Sequence, residues 1–104
     1  MARFDVYRHP DAALRKATPF LLDVQNDFID GLHTRVVLPM RAARLLPLPM
    51  RDLNPGFEVD GVAVVLDAAA IGAIAVSELK APVANLRAQG HLIVNALDAL
   101  FGAY

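Results

Sequence analysis

The periodicity of apolar residues changes once along this chain, near Arg87, and that change limits what it can fold into. Before it, short apolar runs are divided by Pro, Gly and Asp; after it, Ile93, Ala96, Leu97, Leu100 and Phe101 recur at helical spacing and define one apolar face. The expected fold is strands in succession closed by one helix that ends at Gly102. In class terms it is mainly β, a small, partly open barrel with a C-terminal α-helix.

Within the first part, residues 3–7 carry Phe4, Val6 and Tyr7 and suit a first strand, and 8–19 reads as a loop punctuated by Pro10 and Pro19. Segments 20–25 and 34–40 are the next strands, with Gly31 in the turn between them. Pro39 has no N–H for a sheet ladder, so it is expected at a strand end, on an edge or at a bulge. The stretch 41–56 holds three prolines and reads as a loop with one short helical turn. Residues 57–67 read as a hairpin turning at Asp60-Gly61, the strongest short-range cue in the chain. Residues 71–79 are a further strand.

At 104 residues the chain suits a single domain, 1–104. An apolar content of 56% is high for a small monomer, which suggests surface left over for a partner or a second copy. Ten basic and eleven acidic side chains leave a formal charge of −1 and no general field for gripping phosphates, so nucleic acid is a poor direct ligand. Cysteine is absent, which removes disulfides, thiolate nucleophiles and the common zinc sites. Charges interrupt the N-terminus too early for a signal peptide, and 62–76 falls short of the roughly 20 residues that span a bilayer. The expectation is a protein that stays in the cytoplasm, off the membrane.

No catalytic constellation stands out. Asp23, Asp27 and Asp30 are the most site-like group, yet Asp23 belongs to a strand and the other two to a turn, so they read as a partly buried acid beside solvated ones. His9, His33 and His91 show no ligand spacing and read as surface residues, and Ser77, in an apolar strand, has no nucleophile elbow around it. Neither a metal nor a cofactor is expected. Arg35, Arg41, Arg44 and Arg51 cluster by sequence around one loop, where only Phe57 could stack a base, so a solvated or dimer-rim role is the expectation.

The strings "FDVY", "LLDVQNDFID", "VVLPMRAARLL" and "NALDALF" occur in an order and spacing that resemble the CcdB family, the gyrase-poisoning toxins of bacterial toxin–antitoxin modules. "LLDVQNDF" alone also looks like the opening strand of isochorismatase and nicotinamidase hydrolases. Those enzymes need a cysteine nucleophile and a larger α/β domain, which this chain lacks. The CcdB resemblance implies an SH3-like barrel with a long C-terminal helix, a non-enzymatic homodimer, a CcdA-like antitoxin and a role in plasmid maintenance. Its target would be the DNA gyrase A subunit, trapped with cleaved DNA. By the same resemblance, gyrase would be met by Phe28 and Ile29 in the turn after the second strand and by Asp98, Phe101, Gly102, Ala103 and Tyr104 at the helix end. The best-known family members end in Trp-Gly-Ile, whereas this chain ends Gly102-Ala103-Tyr104; shifting by one residue puts Phe101 and Gly102 in the Trp-Gly positions and leaves Tyr104 as an extension. The related MazF-type endoribonucleases offer an alternative, for which Thr34 and Arg35 are the local hydroxyl–arginine pair.

Overall fold

A computed structural model describes residues 1–29, 31–46 and 49–102. Its strands are β1 (Asp5–Arg8), β2 (Phe20–Asp23), β3 (Thr34–Ala42), β4 (Gly56–Val59), β5 (Val62–Leu66), β6 (Gly72–Ala75) and β7 (Ala84–Asn85), followed by helix α1 (Gly90–Phe101). All pairings are antiparallel, in the order β4-β5-β3-β2-β1-β7, with β6 on β3 beside β5. The path ends, β4 and β7, do not pair with each other. The sheet therefore curls into a nearly closed barrel with one unsealed seam, as the sequence suggests.

Alternation along the strands builds two clusters. Val6, Phe20, Leu22, Leu38, Met40, Phe57, Val59, Val64 and Leu66 face one way and are sealed by Ile93 and Ala96 of α1, both fully buried. Tyr7, Leu21 and Val37 face the other way and are covered by Leu79. This second face also carries Asp23 and Arg35, so the sheet buries polar as well as apolar groups.

The hairpin cue is realised in full. Asp60 and Gly61 form a two-residue loop between β4 and β5, with φ of 52° and 76°. Both values lie in the left-handed region that a primed turn requires and that glycine enters without strain. At the helix end Gly102 is likewise left-handed, φ 73°, and its N–H donates to the Asp98 carbonyl. It stops α1 as a C-terminal cap.

Pro39 departs from expectation. It lies inside β3, the longest strand, opposite Leu21 of β2. β3 pairs with β6 through Val37 and with β5 from Met40, so Pro39 falls where β3 changes partner and no ladder N–H is lost there. Its carbonyl still accepts from Asp67 N–H at 2.9 Å. The strand expected at 71–79 is shorter, because a 3₁₀ turn at Val76–Glu78 takes Ser77 out of it. A 3₁₀ turn at Ala43–Leu45 supplies the short helical piece expected in the following loop. No helix among the described residues is long and apolar enough to cross a membrane.

Candidate functional site

One residue, Asn26, holds the backbone of the turn after β2. Asn26 Oδ1 accepts the Phe28 N–H at 2.9 Å, and the Asn26 carbonyl accepts the Ile29 N–H at 3.0 Å. An asparagine that closes a turn on the amide two residues later is an Asx turn, which fixes the chain direction without secondary structure. The turn lifts Phe28 into solvent, 95% exposed, with Ile29 46% exposed beside it. Leu32 extends this apolar surface. A recess of about 260 Å³ opens next to it between Ile29, Leu32, Val76 and Arg35.

Asp27 points back into the protein. Its Oδ1 accepts the Arg3 N–H at 2.6 Å and its Oδ2 lies 3.5 Å from Arg87 Nη2. Arg87 starts the 3₁₀ turn at Arg87–Gln89 that leads into α1, so the Phe28 turn sits by the start of the helix. Phe101, 68% exposed, closes this 12-residue helix, about 16 Å along its axis from Gly90. One chain thus presents the two halves of the expected contact surface apart rather than as one patch. Asp98 is partly buried on the last turn, and Gly102 is exposed. Ala103, Tyr104 and Asp30 lie outside the described residues.

Other candidates are absorbed by the fold. Asp23 is fully rather than partly buried: its Oδ2 accepts from Arg35 Nε at 2.7 Å and its Oδ1 from Gln25 N–H at 3.0 Å. Arg35 is therefore a buried partner of Asp23, neither a solvated rim residue nor half of a basic groove with the exposed Thr34. Arg41 pairs with Asp67 at 3.0 Å and with Thr18 Oγ1 at 2.7 Å, while Arg44 reaches the Lys16 carbonyl.

His33 and His91 are exposed, but His9 is half-buried and accepts the Asp11 N–H on Nδ1 at 3.0 Å. Burial pushes the His9 pKa down. Among the described residues no group of three His, Asp or Glu side chains could hold a metal ion. A larger recess of about 540 Å³, lined by His9, Asp11, Leu14, Ile74 and Glu78 among others, shares no residue with the Phe28 turn.

The sequence pointed to Phe28 and Ile29 but missed their supports. Asn26 was legible, since Asn followed two residues on by a turn amide is a local signal. The link from Asp27 to Arg3 and Arg87 spans 24 residues one way and 60 the other, and no local pattern announces it.

No curated protein matches the chain. The model of the family described as CcdB protein matches residues 3–102. Together with the barrel-like sheet, the capped C-terminal helix and the exposed turn after β2, that match of nearly the whole length means that the chain belongs to the CcdB family, toxins of toxin–antitoxin modules.

Proposed function

We propose that this toxin acts in the cytoplasm as a homodimer that binds the A subunit of DNA gyrase, traps the cleaved gyrase–DNA complex and is neutralised by a CcdA-like antitoxin. It does so without catalysis of its own. The observation that carries this reading is Phe28. A phenylalanine 95% exposed on a hydrogen-bonded turn contributes almost nothing to the core, and exposed aromatics on ordered backbone are what dominate protein–protein affinity. Val94 leaves further apolar surface on α1, which supports a second copy as the cover for that side.

The helix end supports the shifted register with the family's Trp-Gly-Ile. Phe101 is the last helical residue and Gly102 is the left-handed cap, so an aromatic followed by glycine stands at the helix terminus. A tryptophan placed at Gly102 on this backbone would have to adopt φ 73°, a conformation that is strained for any side chain with a Cβ. That same difference favours one second reading, a protein that keeps its antitoxin-binding surface without harming gyrase.

Supercoiling and DNA-cleavage assays with purified gyrase test the proposal. Trapped cleavage products are the expected result. Intact gyrase activity together with antitoxin binding would establish the second reading, and degradation of RNA by the pure protein would establish the MazF-type one.

A further inference from the structure

Asp27 is the only described side chain that ties the Phe28 turn to other segments by charge, and both of its anchors are themselves held. Arg3 Nε donates to the Val24 carbonyl at 3.1 Å, and its guanidinium lies 4.8 Å from the centre of the Phe4 ring. Phe4 N–H donates to the Asp23 carbonyl at 2.7 Å. On the other side, the Arg87 N–H donates to Asn85 Oδ1 at 2.8 Å. The turn is therefore closed locally by Asn26 and clamped by Asp27 onto the N-terminal segment and the base of α1.

These links add little to global stability. The Arg87 and Asp27 side chains are 66% and 43% exposed, and ion pairs in that setting are screened by water and salt. Their effect falls instead on the range of directions open to Phe28. A partner that receives an already oriented aromatic loses less entropy on binding than one that must order a loose loop.

We propose that Asp27, acting through Arg87 and Arg3, is a positioning residue that pre-organises Phe28 and Ile29 for the partner. This rests on the reading of that turn as a gyrase contact. Asp27 makes no contact with gyrase itself, so once Asp27 is replaced the further loss of Arg87 removes nothing more, whereas Arg87→Gln alone leaves the Arg3 N–H bond to Asp27 in place.

The test measures affinity for the purified gyrase A subunit with Arg87→Gln, Asp27→Asn, the double variant and Arg87→Lys. Arg8→Gln, which removes the exposed Arg8–Asp60 pair at 3.9 Å, serves as the control. Each single loss should weaken binding by about three- to fivefold, the range open to a screened ion pair. The double variant should be no weaker than Asp27→Asn alone, Arg87→Lys should regain most of the affinity, and high salt should bring wild type and Arg87→Gln together. Melting temperature should stay unchanged throughout. Additive losses would mean that Asp27 touches gyrase directly, and unchanged affinity would mean that the clamp does nothing; either overturns the proposal. Amide exchange at Phe28 and Ile29 in the free protein gives a readout that does not depend on gyrase. Faster exchange in Arg87→Gln is expected, and an unchanged rate overturns the clamp. Wild-type protein that fails to bind gyrase, yet shows faster exchange in the variant, would refute the target and leave the clamp standing.

Discussion

Arg35 Nε donates to Asp23 Oδ2 at 2.7 Å across neighbouring strands β3 and β2, with both side chains shut away from solvent. A buried pair of this kind costs its partners their hydration and repays it only while both are present. Arg35→Met should therefore lower unfolding free energy by about 3–5 kcal/mol, because it strands a buried carboxylate. The double variant Asp23→Leu, Arg35→Met should recover most of that loss. Urea unfolding of the three proteins measures both, and a single-variant loss under about 1 kcal/mol would show that water already reaches the pair.

Tyr7 gives an alkaline counterpart on the same face. Burial, with the Asp5 and Asp23 carboxylates nearby, pushes its hydroxyl up from 10.0 to about 12. The folded protein keeps this proton where the unfolded chain has lost it. The stabilisation is therefore complete below pH 10 and disappears as the pH rises through about 12. Tyr7→Phe should be less sensitive over that window. Denaturation midpoints taken from pH 9 upward should fall more steeply in wild type, and parallel profiles would contradict the assignment.

What the sequence disclosed followed from local rules. Asp60-Gly61 names its turn because two consecutive residues must enter the left-handed region, and the helix announces itself by repeating apolar residues every third or fourth position. β7 escaped because two residues, Ala84 and Asn85, carry no pattern; only β1 beside them makes a strand. Pro39 misled because its tolerance depends on where β3 exchanges β6 for β5, a property of three strands at once. Arg35 read as a surface cation since nothing nearby in sequence says that Asp23 waits behind it. Phe28 and Ile29 stand as proposed contacts only through likeness to a family, as exposure on a turn leaves no periodic trace.

Phe28→Ala separates binding from folding. The side chain has almost no core contacts to lose, so the melting temperature should hold within a degree or so of wild type. Gyrase affinity should drop by about 2 kcal/mol or more, roughly thirtyfold, since truncating a central aromatic anchor removes most of what a contact supplies. Antitoxin affinity should change less if that partner spreads over a longer surface. Gyrase inhibition undiminished in this variant would move the site elsewhere on the protein.

Gly102→Trp puts the two registers of the C-terminus in direct opposition. Gly102 has φ 73° and caps α1 through its N–H bond to the Asp98 carbonyl, so a tryptophan there must either accept left-handed backbone or undo the last turn. The cost should be about 1–2 kcal/mol of local stability, visible as fraying of the helix end. If Phe101 already fills the aromatic position, the substitution adds no poisoning activity, and Phe101→Ala abolishes it while leaving a folded protein, because Phe101 is mostly exposed. Deleting Gly102 through Tyr104 should likewise leave the barrel intact and remove poisoning, with antitoxin binding retained. Gyrase cleavage assays on the three variants decide between the registers. Stronger poisoning by Gly102→Trp than by wild type would establish the ungapped one, and would mean that this chain is a toxin weakened at its tip.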